Sequence, residues 1–173
     1  RLDLLRPYIG DLQQRLTAQS STNVLNLNLR EVPILYGLLI GKINYATNMG
    51  VRFEIAIVTK EEIVFPNEVL YDLAYIMGVW LDNAIEASEK CDNKQIEVRV
   101  LLENSFFFSI RNTSLPVHII NNHITSTKSD RSLHGFGLEN VKTLLVKHNG
   151  EYVMFYDNGW FQFSAEIPTE FIS

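Results

Sequence analysis

A chain of 173 residues, 46% hydrophobic and 20% charged, carries enough apolar material for one domain with a full core and excludes wholesale disorder. A formal net charge of −5 excludes a broad cationic footprint for nucleic acid, though not a local cationic spot. No apolar run approaches the ~18 residues that span a bilayer, no charged-then-apolar leader pattern opens the chain, and Cys91 has no second thiol, so a soluble polypeptide in a reducing cytoplasm is expected.

Leu2, Leu5, Ile9, Leu12 and Leu16 recur at three- and four-residue spacing, which predicts an amphipathic helix ending near Ala18. The chain opens on Arg1, directly in this pattern, and is therefore expected to be a piece of something longer. "AQSSTN" breaks the pattern, and Pro33 suits the first turn of a second helix that runs to a left-handed stop at Gly50. "VRFEIAIVT" sets Val51, Phe53, Ile55 and Ile57 against Arg52 and Glu54, as a half-buried strand does. A long helix follows from Asn67, its expected cap, to about Lys90, with Leu70, Ala74, Met77, Leu81, Ala84 and Ile85 towards the sheet. "QIEVRVLLE" and "SFFFSIRN" read as a hairpin turning at Glu103 and Asn104. Residues 113–134 show no clear period and are rich in Asn, Ser, Thr and His; a long irregular segment inside a compact domain is usually functional. A helix from about Gly137 to His148 comes next, with Leu138, Val141 and Leu145 on one face. "EYVMFYD" and "WFQFSAEI" then flank Asn158-Gly159, the strongest short-range hairpin signal.

This order predicts an α/β two-layer sandwich: a mixed, largely antiparallel sheet with three helices on one face, over residues 33–173. Residues 1–32 are expected to form a separate helical arm.

On the long helix, Asn83 lies away from the sheet-facing cluster, among Ile76, Val79 and Ala87. A buried amide left unpaired costs about 1–3 kcal/mol, so it must be met by something polar. Either a neighbouring loop carbonyl does so, or its oxygen binds a hard cation such as Mg²⁺ that bridges to substrate phosphates. Asp82 and Glu86 beside it are candidate metal supports or general bases, or simply a solvated face. Position 79, one turn earlier, is valine, which can neither activate a water nor accept a proton.

Gly135 and Gly137 stand at the start of the predicted helix. Helix N-termini offer unpaired N–H groups, and glycines clear the approach for a phosphate, with Lys128, Arg131, Ser126 and Thr127 as further partners. Glycines in such places are equally often turn residues. A long polar loop precedes them where a dinucleotide fold needs a strand, so the Rossmann fingerprint does not apply. His118, His123, His134 and His148 lack zinc-site spacing, and no G-x-S-x-G nucleophile signature occurs.

Taken together, "WLDNAIEAS", "SIRN", "STKSDR" and "HGFGLENVK" resemble, in motif order and over about residues 33–168, the ATP-binding domain of the GHKL superfamily in its sensor histidine kinase branch. The likeness is greatest to kinases that sense peptide pheromones, and "LLIGKINYATNMGV" is similar to the corresponding helix of dicarboxylate-sensing kinases. The resemblance implies ATP and Mg²⁺ as cofactors. It makes Asn83 the N-box residue that holds Mg²⁺ against the triphosphate, and it sets Asn112 where most members have an aspartate bonded to the adenine amino group. Residues 113–134 become a mobile lid, Thr127 and Lys128 lid residues near the phosphates, and Gly135, Gly137 and Leu138 the second glycine box.

Departures from the family pattern carry information. The first glycine box, normally DxGxG, reads "NTSLP" from Asn112, which implies modest adenine affinity. Valine at position 79, where hydrolytic members place glutamate, argues against water as the acceptor and suits a protein-histidine kinase. No histidine precedes His118, so the phosphoacceptor is expected upstream, on the first helix of a dimerising hairpin of which the arm is a remnant; this chain then binds ATP without completing autophosphorylation. The implied partners are a response regulator and, in the full-length protein, a second copy, but no nucleic acid. The implied location is the cytoplasmic side of a bacterial sensor whose membrane anchor lies upstream. Two alternatives stand beside this: a non-catalytic nucleotide-sensing pseudokinase, favoured by the degenerate glycine box, and a protein-interaction module.

Overall fold

The computed structural model describes residues 33–59, 65–102, 105–125 and 131–168. The predicted arm over residues 1–32, its boundary, and the loop residues Thr127 and Lys128 lie outside them.

Helix α1, Pro33–Asn48, starts with proline in its first turn and ends in a Schellman motif. Gly50 takes φ +73, its N–H donates to the Thr47 carbonyl at 3.0 Å, and the Val51 N–H donates to the Ala46 carbonyl at 2.9 Å. That is the left-handed stop the sequence predicts, and it turns the chain into strand β1, Arg52–Thr59. Helix α2, Asn67–Glu89, covers the predicted span, but Pro66 is the capping residue and no side chain caps the end, so Asn67 is the first helical residue and not the cap.

Strands β2, Gln95–Leu102, and β3, Ser105–Thr113, form the expected antiparallel hairpin. The irregular segment after β3 contains a second, short one: β4, Ile119–Ile120, and β5, His123–Ile124, joined by Asn121 and Asn122 at φ 49 and 63. Two consecutive left-handed residues match the twist of a tight hairpin turn, and asparagine tolerates that region well. Helix α3, Arg131–Lys147, begins about six residues earlier than the sequence suggests. Strands β6, Glu151–Asp157, and β7, Trp160–Pro168, meet at Asn158-Gly159 with both residues left-handed, as predicted.

The main sheet has the order β1-β2-β3-β7-β6, with β1 parallel to β2 and the other pairs antiparallel. One face carries Ile96, Val98, Val100, Phe106, Phe108, Ile110, Phe163 and Ala165 into a single core with Leu35 and Leu39 of α1, Leu73 to Ile85 of α2, and Val141 and Leu145 of α3. The fold is thus the predicted two-layer sandwich with three helices on one face of a mixed sheet.

Candidate functional site

α2 supplies most of what this site is built from. Its buried side is Leu73, Ile76, Met77, Trp80, Leu81, Ala84, Ile85 and Ser88. Two of these depart from the helical-wheel reading: Ile76, grouped there with Asn83, is fully buried, and Trp80 joins the core. The Trp80 ring stacks on Phe163, with centroids 4.0 Å apart and planes 15° apart, and on Phe161 at 5.9 Å. Phe161 and Phe163 alternate on β7 with Gln162, so the period of the strand sets both rings against the helix.

Next to this stack, between α2, α3 and the inner face of β3, β7 and β6, lies a cavity of about 420 Å³. Its floor is Ile110, Phe161 and Phe163, flanked by Tyr152 and Met154, and α3 contributes Leu138, Val141 and Leu145. The polar groups come from several elements: Asn83, Glu86 and Lys90 of α2, Asn112 at the end of β3, Ser114 after it, His123 of β5, and Glu139 and Lys142 of α3. A mainly apolar slot of this volume with a small number of polar groups has the make-up of a small-molecule site.

Asn112 is 2% exposed, and its amide nitrogen donates to the Thr113 carbonyl at 2.9 Å. That bond fixes the side chain and leaves its carbonyl oxygen as the group able to accept from a ligand N–H. Ser114 and Pro116 stand where the first glycine box would have glycines; Ser114 is buried, and its hydroxyl donates to the Leu115 carbonyl at 2.8 Å.

Asn83 is half-buried in the same cavity, one helical turn beyond Val79. A Cβ on Gly137 would stand 3.4 Å from Val79 Cγ1, at ordinary contact distance, so α3 faces α2 at this point. Gly135 and Gly137 lie inside α3 and not at its start, because the helix begins at Arg131. The unpaired N–H groups of a helix are those of its first four residues, here Arg131, Ser132, Leu133 and His134. Leu138, one residue on, forms cavity wall. The structure therefore brings Asn83, Asn112 and Leu138 together and places Gly137 at the adjoining helix seam; Thr127 and Lys128 fall outside the described residues.

The short hairpin closes one side. Asn122 Oδ1 accepts the Met154 N–H at 2.7 Å and its Nδ2 donates to the Tyr152 carbonyl at 2.9 Å, so a side chain docks β4 and β5 on edge strand β6. This brings His123 and Ile124 to the cavity, where the Lys142 ammonium donates to His123 Nδ1 at 2.8 Å and to Glu139 at 3.3 Å. Sequence reasoning missed Asn122; the two adjacent asparagines between Ile120 and His123 were the signal for it.

The far ends of α2 and α3 are joined by charge. Asp72 accepts from Lys147 at 2.9 Å and from His148 Nε2 at 2.7 Å, and Lys147 also reaches Glu68 at 2.6 Å. Burial pushes the Asp72 carboxyl up, but the hydrogen bonds from Lys147 and His148 together outweigh it and hold its pKa below the ordinary value. The bond to Glu68, then that to Asp72, raises the pKa of Lys147. His148 is thus one member of an interhelical cluster. Among the described residues no group of three or more His, Cys, Asp or Glu side chains is arranged to hold a metal.

A family model for the GHKL domain matches residues 69–168, more than half of the chain. The chain belongs to the GHKL domain family. No curated protein sequence matches it significantly. Among solved structures, the catalytic domain of the histidine kinase ThkA superposes with a TM-score of 0.62 at 18% identity, over 83% of this chain and 93% of that one. The mycobacterial sensor histidine kinase MprB gives 0.57 at 18% identity over 80% and 95%. The Acinetobacter baumannii histidine kinase AdeS gives 0.58 at 13% identity over 80% of this chain, which spans 64% of the AdeS chain. At these identities the likeness is one of fold.

Proposed function

We propose that the cavity binds Mg-ATP and that the domain transfers the γ-phosphoryl group to a histidine outside this chain. The observation that carries this reading is that Asn83 and Asn112, which come from different elements, line one cavity together with aromatic side chains of α2 and β7. In it the base lies on the Phe161 and Phe163 side, its amino group donating to Asn112. The phosphates extend towards Asn83 and the start of α3, near Gly135, Gly137 and the lid residues Thr127 and Lys128. Asn83 and Glu86 offer hard oxygen donors in the same cavity, which suits Mg²⁺ and no softer metal. Bound there, Mg²⁺ would supply charge neutralisation for the triphosphate. The protein's part is positioning: the acceptor imidazole nitrogen bonds to the γ-phosphorus as the bond to the β,γ-bridging oxygen breaks, and ADP leaves. Val79 leaves the cavity without a general base at the position that would activate water, which favours a protein nucleophile.

In this reading the intact protein is a dimeric bacterial sensor with a response regulator as its partner, and this domain is its cytoplasmic catalytic part. Among the described residues no helix is long and apolar enough to cross a membrane. A structural neighbour, full-length ShkA in complex with AMPPNP, supports the nucleotide reading; it is 17% identical over 79% of this chain and 29% of its own.

Calorimetry with Mg-ATP tests binding, with Asn83→Ala expected to abolish the Mg²⁺-dependent part of the heat. Joining the domain to an upstream histidine-bearing segment and following label from [γ-³²P]ATP tests transfer. No heat up to millimolar nucleotide would leave a protein-interaction module as the better reading. Heat without label would favour a nucleotide-sensing pseudokinase, the reading that Ser114 and Pro116 in place of glycines support.

A further inference from the structure

Among the described residues one buried side-chain nitrogen or oxygen has no hydrogen-bond partner: the indole nitrogen of Trp80. The ring is 4% exposed, clamped against Phe161 and Phe163, and forms part of the cavity wall. An indole N–H can only donate, and a donor left buried without an acceptor costs about 1–3 kcal/mol. Phenylalanine would stack on the same rings without that cost.

An acceptor supplied by a ligand removes the penalty, and the neighbouring groups say which kind. Asn112 is the register partner of Phe161 across β3 and β7, and Trp80 stacks on Phe161, so Trp80 of α2 and Asn112 of β3 flank one ring of the same cavity. A donor beside an acceptor is the complement of an aminopurine edge, where an exocyclic amino group adjoins a ring nitrogen.

We propose that Trp80 is a base-recognition residue: its indole N–H donates to a ring nitrogen of the adenine whose amino group donates to Asn112 Oδ1. The inference rests on the nucleotide reading of the cavity and deepens it, since it assigns the base a second contact from a helix residue.

The test labels the two tryptophans with ¹⁵N at the indole nitrogen, assigns the signals with Trp160→Phe, and titrates the 173-residue protein with Mg-ATP. The Trp80 indole proton is expected to move downfield and to exchange more slowly with solvent. In parallel, Trp80 is replaced by 3-benzothienylalanine, which keeps the ring shape but has sulfur in place of N–H. Its Mg-ATP affinity is expected to fall about five- to tenfold, while affinity for Mg-tripolyphosphate, which has no base, stays unchanged. If Mg-ATP binds with full heat but the Trp80 proton does not respond and the isostere binds equally well, the proposal is overturned and the nucleotide site stands. If the unmodified protein binds no Mg-ATP, the nucleotide reading itself falls. Should the isostere fail to fold, the proton signal of the natural protein decides.

Discussion

Asn122 pairs with Met154 as one strand residue pairs with another: its side-chain oxygen takes the Met154 N–H at 2.7 Å, and its nitrogen serves the Tyr152 carbonyl at 2.9 Å. β6 is an edge of the main sheet, and this one side chain satisfies edge groups that would otherwise face water or another chain. It also fixes the hairpin that carries His123 and Ile124 to the cavity.

Asn122→Ala removes both bonds and strains a backbone at φ 63, for an expected loss of about 1–3 kcal/mol. Asn122→Gly keeps the backbone at ease and isolates the side-chain part. Hydrogen exchange is the discriminating measurement: the Met154 amide should exchange faster in both variants, with Mg-ATP affinity weakened alongside. An unchanged Met154 amide would show that the hairpin is held by other means.

Gly137 separates two roles that glycine can play in α3. It lies inside the helix, and a Cβ there meets only Val79, at ordinary contact distance. Gly137→Ala should therefore stabilise the protein without ligand by about 0.5–1 kcal/mol through helix propensity, as read by urea unfolding. If the glycine also clears the approach of the phosphates, Mg-ATP affinity falls in the same variant. A gain in stability with undiminished affinity would assign Gly137 to helix packing alone.

The cluster at the other end of the same helices gives a dependence on pH. Because the Asp72 pKa is lowered in the folded protein, its contribution is fully present above the unfolded value, about 4, and is lost as pH falls through the folded one. The Lys147 pKa is raised, so its contribution is full below the unfolded value of about 10.4 and fades only as pH rises through the folded one. Between these limits Asp72→Asn should cost about 0.5–1 kcal/mol in urea unfolding. The gap between wild type and variant should close under acid, below about pH 4. A gap that persists there would mean that the loss comes from packing and not from charge.

What the sequence made legible divides along physical lines. Strong local signals survived into the structure: the proline start of α1 and its glycine stop, the alternation in β1, and the Asn158-Gly159 turn. Each is decided by backbone chemistry within a few residues. The start of α3 was misplaced because the two glycines of "RSLHGFG", poor helix formers, outweighed the capping signal that Asp130 offers directly before Arg131. The β4-β5 hairpin was hidden for a different reason. Its strands are two residues long, too short for any alternation, and its docking depends on a side chain reaching strand β6 about thirty residues later in the sequence. Asn83 came from helical spacing as well as motif order, whereas Asn112 came from motif order alone, which carries no geometry. Trp80 stood outside the sheet-facing set read from helical spacing, and only the surroundings of its nitrogen in the fold reveal a buried ring with an unmet donor.

Asn112 offers the sharpest trade between binding and stability. The neutral amide oxygen accepts a weaker hydrogen bond than a carboxylate would, and the side chain is nearly inaccessible to water at 2% exposure. Asn112→Asp should strengthen Mg-ATP binding about five- to tenfold, the difference of roughly 1 kcal/mol between a neutral and a charge-assisted bond. The same carboxylate must be desolvated in the ligand-free protein, and it gives up the N–H bond to the Thr113 carbonyl, so without nucleotide the variant should be less stable at neutral pH. Burial raises the pKa of such a carboxyl, and the deficit should therefore shrink as pH falls through that raised value, opposite in sign to the behaviour of Asp72. Saturating Mg-ATP should recover the lost stability, because the adenine amino group meets the charge. Calorimetry gives the affinity and urea unfolding with and without nucleotide gives the rest. An Asn112→Asp variant that binds no tighter and is destabilised equally with and without Mg-ATP would place the base elsewhere in the cavity.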